Sequence, residues 1–161
     1  MSEARRATAA DTAELLRLRG VMLASMAGQG QADDGWQSAA YESLRARLGE
    51  REPSLVAFVV DRADITGGLA ACAVGRVDYR IGGPDDPVGE SGYVFSVVTD
   101  PDARRRGYSR SCVTALLDWF RERGTTRVDL RASPEAEPLY LSLGFTHTPD
   151  PAMRLRLPPV G

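Results

Sequence analysis

The 161-residue chain is predicted to adopt an α/β (α+β) fold, in which helices flank both faces of a mixed central β-sheet. Three observations predict it. Apolar runs with the two-residue period of strands occupy the middle of the chain. Stretches with helical spacing precede and follow those runs, and a last strand and helix alternate near the end. The length is that of one ordinary domain, so we expect residues 1–161 to form a single domain.

The first part of the chain predicts a short strand and two helices. The strand covers residues 4–8, and Asp11, with a glutamate three residues later, gives a capping-box-like start to the first helix. Apolar residues then recur at helical spacing. Turn-forming residues interrupt the pattern over residues 28–35, and a second amphipathic helix follows over residues 36–48.

The middle of the chain predicts three strands. Residues 55–60 and 69–79 form two of them, joined as a hairpin by a turn over residues 61–68. Glycines and prolines over residues 82–87 exclude regular structure there. The third strand covers residues 93–98 and leads towards the glycine-containing turn described below.

The last third predicts a helix, a strand and a short helix. The long helix covers residues 108–123 and ends at Gly124, a residue suited to a left-handed cap. A strand over residues 127–131 and a short helix between positions 138 and 144 follow. The tail, residues 153–157, alternates like a strand.

Composition excludes several classes of protein. The net charge of −2 and the pI of about 5.5 argue against nucleic acid or an anionic membrane as a partner. Cys72 and Cys112 lie in apolar surroundings without metal-type spacing, so we expect core residues and no metal site. No apolar run has the length of a membrane span and no signal peptide is apparent, so the expected location is cytoplasmic.

An apolar strand that runs through a glycine-containing turn into a helix, over residues 99–110, predicts an anion site. The first amides of a helix have no intrahelical partners, and the helix dipole places partial positive charge there. Gly107 allows a bulky ligand to approach the backbone. A solvated arginine-rich turn is the alternative that this feature alone leaves open. The arginines around the turn are Arg104, Arg105, Arg106 and Arg110.

This turn resembles the acyl-coenzyme A binding motif of the GNAT family of N-acetyltransferases, Gln/Arg-x-x-Gly-x-Gly/Ala. Arg104, Gly107 and Ser109 stand at the three marked positions, and Ser109 departs from Gly/Ala. Residues 98–101 resemble the strand end and Asp-Pro that precede the motif, and residues 138–145 resemble the late Leu-Tyr-x-x-Leu-Gly-Phe signature. The likeness covers nearly the whole chain and implies a GNAT-like sheet.

The resemblance implies acetyl-CoA as co-substrate. The backbone of Val97, Val98 and Thr99 would pair with the pantetheine arm, much as an added strand pairs with a sheet edge. Backbone amides from Arg104 through Arg110, Tyr108 included, would bind the pyrophosphate. Ser133 would border the cleft and contact the coenzyme. The family also implies that the two central parallel strands splay apart at this point to admit the thioester.

Tyr140 is the candidate proton donor for the departing thiolate. A phenol with an ordinary pKa near 10 is protonated at neutral pH, and the resemblance places this tyrosine beside the coenzyme sulfur. An amphipathic core tyrosine is the alternative.

Glu90 is the candidate general base, because it precedes the strand that would flank the thioester. A solvated loop charge is the alternative reading. Ser96 is a second candidate, as a group that positions water. The backbone amide near Val98 is the candidate for stabilising the oxyanion. His147, the only histidine, follows the late signature and is expected to be structural.

We therefore expect an acetyl-CoA-dependent N-acetyltransferase that acts on a primary amine of a small molecule or protein by direct transfer in a ternary complex. Loops over residues 28–35 and 65–68 would overhang the acceptor site, and Asp33 with Asp34 would attract a cationic amine, with an acidic surface loop that serves solubility as the alternative. A non-catalytic acyl-CoA binding or sensing module is the alternative. A homodimer is also compatible with the sequence, and nucleic-acid binding through the arginine cluster is disfavoured by the acidic total charge.

Overall fold

The computed structural model describes residues 3–27 and 34–161 and contains a five-stranded sheet. Contacts divide the chain into two units, Met1–Arg131 and Ala132–Gly161, and the expected single domain stays a prediction. The first unit contains β1 (Arg5–Arg6), α1 (Thr12–Ala27), α2 (Gln37–Leu48), β2 (Leu55–Asp61), β3 (Leu69–Tyr79), β4 (Glu90–Thr99), α3 (Tyr108–Glu122) and β5 (Val128–Leu130). The second contains α4 (Glu137–Ser142).

The predicted mixed sheet with helices on both faces is confirmed. The strands follow one another in the order β1-β2-β3-β4-β5, antiparallel except for the parallel pair of β4 and β5. On one face α3 approaches so closely that Cβ atoms built on Gly75 and Gly92 would lie 2.7 Å from Leu116 and Phe120. On the other face Leu15 and other apolar residues of α1 and α2 pack against β2, β3 and β4.

The α3 helix matches its prediction to within one residue at its C-terminal end. Its apolar residues recur at helical spacing and are buried against the sheet. Gly124 follows with φ of +83°, the left-handed conformation that glycine adopts without the steric cost of a side chain. The buried residues of this helix are Cys112, Val113, Leu116, Leu117 and Phe120.

The start of α1 differs from the prediction, because the capping box begins three residues earlier. Thr8 is the N-cap of a short 3₁₀ turn, and its N–H donates to Asp11 Oδ2 at 2.8 Å. The Arg5 guanidinium donates two hydrogen bonds to the same carboxylate, at 2.9 and 2.8 Å. Glu14 caps no helix and instead accepts the Leu69 N–H at 2.8 Å. Long-range partners therefore decide which acidic residue caps which turn.

The prediction of a strand over residues 153–157 is wrong, since the tail has no regular structure. Met153, Leu155 and Leu157 are exposed, and within the described ranges no strand pairs with this segment. Alternation of apolar residues permits a strand but does not supply a hydrogen-bonded neighbour. Most of the predicted loop at residues 28–35, Asp33 included, lies outside the described residues. Among the helices described, none is long and apolar enough to cross a bilayer.

Candidate active site

A β-bulge bends β4 close to its C-terminal end. Val74 of β3 faces Phe95, whereas Cys72 faces Val98, so two residues of β4 oppose one residue of β3 between them. Ser96, one of the two, has φ of +49° and is buried. A bulge adds local twist and redirects the strand that carries it. The end of β4 is therefore turned away from the line of its first half.

The parallel pairing of β4 with β5 stops before the bulge. Its last pair is Val94 with Leu130, and β4 continues to Thr99. No strand in the described part of the chain pairs with this last stretch on the β5 side. The two strands are neighbours, as the family resemblance requires. The backbone groups of Val97, Val98 and Thr99 therefore lie on a stretch of strand with an open edge.

The turn that follows β4 is exposed over residues 104–107 and leads into the N-terminus of α3. Arg105 has φ of +66° and Gly107 has φ of +78°, so the chain turns through two left-handed residues before the helix begins. The first intrahelical bond in the turn runs from the Ser111 N–H to the Gly107 carbonyl, at 3.0 Å. Helix geometry leaves the amides before that bond without intrahelical partners. A Cβ built on Gly107 would meet no atom within 4 Å.

Ser109 links the first turn of α3 to the end of β4. Its hydroxyl is hydrogen-bonded to the Thr99 hydroxyl, with 2.5 Å between the two oxygens. The serine that departs from the motif therefore points at the strand. This contact accounts for a hydroxyl at a position where the motif has glycine or alanine.

The structure gathers the residues predicted for coenzyme binding, except Ser133, at this one corner of the first unit. Arg104, Arg105, Arg106 and Arg110 are all exposed around the turn. An exposed cationic rim and a helix N-terminus both favour an anion. Ser133 lies in the second unit, where its hydroxyl accepts the Ala136 N–H at 3.3 Å in the turn before α4. Their binding roles stay predictions.

An ion cluster centred on the buried carboxylate of Asp100, at the beginning of the turn, was not predicted from the sequence. Asp100, directly after β4, has a side chain that is 7 % exposed. Arg17 of α1 donates to both of its carboxylate oxygens, at 2.9 and 2.8 Å, and Arg62 donates to one of them at 3.0 Å. These hydrogen bonds, the Arg17 bonds above all, hold the pKa of Asp100 below its ordinary value.

Arg62 extends this ion cluster to the beginning of the turn. Its guanidinium donates to both oxygens of Asp102, at 2.9 and 2.6 Å, and to both oxygens of Asp64, at 2.9 and 3.0 Å. Arg17 also donates to the Leu69 carbonyl at 3.1 Å. The end of β4, α1 and the β2–β3 hairpin are thus joined at Asp100.

Tyr140 lies in α4 of the second unit and is buried, with 6 % of its surface exposed. Its ring makes an edge-to-face contact with Phe145, at 5.8 Å between centroids. Burial raises the pKa of its phenol, because the charged form loses solvation. The proton therefore stays on the oxygen throughout the neutral range. In the same unit the exposed His147 pairs with Glu137 at 2.9 Å, so it has a surface partner.

Glu90 is the first residue of β4, not a loop residue. Its carboxylate accepts hydrogen bonds from Arg123, at 3.2 and 3.1 Å, next to the end of α3. At about 3.3 Å per residue, β4 carries Val97 roughly 20 Å away from it. The structure therefore does not bring Glu90 to the open edge of β4, and a proton from an amine bound there could reach Glu90 only through a chain of water molecules. Its role as base stays a prediction.

Comparison with known proteins gives one consistent result. The family model described as "Acetyltransferase (GNAT) family" matches residues 23–145. A predicted acetyltransferase from Clostridium acetobutylicum, solved with acetyl-CoA, is 20 % identical with a TM-score of 0.80, and 97 % of this chain and 96 % of that chain are covered. A GCN5-related N-acetyltransferase from Ralstonia eutropha is 23 % identical with a TM-score of 0.77, covering 96 % and 99 %.

A third similar structure is glucosamine-6-phosphate N-acetyltransferase from Arabidopsis thaliana, at 19 % identity and a TM-score of 0.70, covering 96 % of this chain and 98 % of that chain. None of the curated proteins compared with this chain matches it. At these identities the structural likeness concerns the fold.

Proposed function

The chain belongs to the GNAT acetyltransferase family, and from this premise we propose that it transfers an acetyl group from acetyl-CoA to a primary amine of a small molecule or protein. One observation carries the proposal. The open edge of β4 leads directly into an exposed turn, where a Cβ built on Gly107 would meet no atom within 4 Å, and then into the N-terminus of α3. An amide-containing arm with a diphosphate at its end matches both halves of that surface.

The fit of acetyl-CoA rests on these two features. The backbone of Val97 and Thr99 supplies strand-like donors and acceptors for the pantetheine amides. Amides at the start of α3 supply donors for the diphosphate, and the arginines of the turn add positive charge. Gly107 leaves room for the phosphate oxygens, since a side chain there would occupy that space.

The proposed reaction is direct acyl transfer. The neutral amine attacks the thioester carbonyl carbon, a C–N bond forms, and the C–S bond breaks. A backbone amide near Val98 stabilises the negative charge that develops on the carbonyl oxygen. Tyr140 gives its proton to the departing thiolate, and its raised pKa keeps that proton available at neutral pH. The attacking nitrogen gives up one proton, with Glu90 through water as the candidate acceptor.

A screen of amines tests the proposal, with thiol release from acetyl-CoA as the readout and calorimetric titration of coenzyme A beside it. Tyr140→Phe should reduce kcat on the best amine by about 10²-fold, the lower end of general acid catalysis, with unchanged affinity for coenzyme A. Tyr79→Phe is the matched control, because Tyr79 is 71 % exposed at the end of β3, and it should retain full activity. Coenzyme binding without turnover on any amine would instead indicate a sensing module. Absence of coenzyme binding would refute the proposal outright.

A further inference from the structure

The turn between β4 and α3 needs support from outside itself. Arg105 has φ of +66°, in the region that residues with a side chain rarely occupy, and Gly107 has φ of +78°. The residues from Arg104 to Gly107 are exposed. Strained backbone of this kind persists only where the surrounding structure fixes it. The backbone amides of the turn can keep one orientation before a ligand binds only if both ends of the turn are fixed.

The far end of the turn is fixed by α3 and by the hydrogen bond between the Thr99 and Ser109 hydroxyls. The near end is fixed at Asp100. Its N–H donates to the Ala70 carbonyl at 2.8 Å, and its carbonyl accepts the Ala103 N–H at 2.9 Å. Its side chain is held by the ion cluster. Asp100 therefore joins the last residue of the sheet to the first residues of the turn.

The ion cluster reaches the turn from two directions. Arg17 of α1 donates two hydrogen bonds to Asp100. Arg62, which directly follows β2, donates to both Asp100 and Asp102. The forked pair of hydrogen bonds from Arg17 fixes the position and orientation of the Asp100 carboxylate more tightly than a single bond would, and Arg62 adds a third bond. The Arg17 side chain is 41 % exposed and those of Asp64 and Asp102 are 65 % exposed, and ion pairs at the surface add little to stability. What this cluster supplies at this place is a defined geometry.

We propose that Asp100 is a positioning residue for the coenzyme, which through Arg17 and Arg62 holds the β4–α3 turn in the conformation that receives the diphosphate. This inference rests on the proposed function, because it takes coenzyme A as the ligand. It assigns Asp100, Arg17 and Arg62 a role that acts through the turn and does not require them to touch the coenzyme. Loss of the cluster should weaken the part of binding that depends on the diphosphate and spare the part that depends on pantetheine.

The test compares two ligands on matched variants. Coenzyme A, with the diphosphate, is titrated by calorimetry, and pantetheine, without it, is titrated by NMR. Asp100→Asn removes the charge that both arginines bind. Asp11→Asn is the control, because Asp11 is similarly buried, with 10 % of its side chain exposed, and Arg5 likewise donates two hydrogen bonds to it. Both variants remove the charge of a buried carboxylate that accepts two hydrogen bonds from a 41 % exposed arginine, but only Asp100 adjoins the turn.

Asp100→Asn is expected to weaken coenzyme A binding about tenfold and to change pantetheine binding by less than about twofold. Asp11→Asn is expected to bind both ligands as the wild type does. Equal losses for the two ligands, equal losses in the two variants, or wild-type coenzyme affinity in Asp100→Asn would each overturn the inference. If Asp100→Asn does not fold, Asp102→Asn takes its place in the comparison of coenzyme A with pantetheine, since 65 % of the Asp102 side chain is exposed.

The two proposals fail in different ways. A wild-type protein that binds no coenzyme A overturns the proposed function and this inference together. A wild-type protein that binds coenzyme A, with an Asp100→Asn variant that binds it equally well, overturns the positioning role alone.

Discussion

Replacing Gly107 with alanine separates the stability of the turn from its ability to bind. Gly107 has φ of +78°, and its added Cβ would meet no protein atom within 4 Å, so the cost in the folded state is conformational and not steric. A side chain in the left-handed region costs about 1–2 kcal/mol. At about 2–4 °C per kcal/mol for a chain of this size, the melting temperature should fall by roughly 2–8 °C.

Gly124→Ala is the control at the other end of α3. Gly124 has φ of +83° and no neighbour within 4 Å, so it should show the same fall in melting temperature. Only Gly107→Ala places a methyl group where the diphosphate should lie, and it should weaken coenzyme A binding at least about tenfold, or about 1.4 kcal/mol. Calorimetry and thermal denaturation on both variants measure the two effects. Coenzyme affinity that is unchanged in Gly107→Ala, or lowered equally in both variants, would refute this reasoning.

Three further predictions follow from the same structure. The pKa of Asp11 is held below its ordinary 3.8, chiefly by hydrogen bonds from Arg5, so the stability it contributes is present above pH 3.8 and lost as pH falls through the lowered pKa. Urea denaturation between pH 6 and 3 should therefore show a shallower acid loss in Asp11→Asn than in the wild type. Gly92→Ala places a Cβ 2.7 Å from the Phe120 ring and should cost about 1–3 kcal/mol of unfolding free energy, part of which Phe120→Leu restores in a double mutant. Glu90→Gln should lower kcat about 10²-fold if Glu90 is the base, and a loss smaller than about twofold in the thiol-release assay would remove it from that role.

Local pattern was enough to predict the strongest elements. The β3 strand spans the predicted residues 69–79, because its apolar run is long and lies between turn-forming residues. The α3 helix was equally clear from its spacing and from Gly124. The tail failed because a strand is defined by its partner, which residues 153–157 lack among the described strands. Prediction succeeded where the residues of a strand or helix themselves carry the pattern that defines it.

Part of the candidate site could likewise be predicted from the sequence, and part of it could not. The sequence pointed to Arg104, Gly107 and Ser109 through a short motif, and the structure brings them into one turn beside the end of β4. The ion cluster gave no such signal, because Arg17 and Arg62 stand 83 and 38 residues from Asp100 along the chain. The bulge at Ser96 was equally hidden, since it arises from the register between β3 and β4.

A crystal structure of the protein with acetyl-CoA tests the central claim most directly. The diphosphate should lie at hydrogen-bond distance, about 3 Å, from backbone amides at the start of α3, with the pantetheine arm alongside residues 97–99. Coenzyme ordered elsewhere on the protein, or an empty turn at saturating acetyl-CoA, would contradict the account.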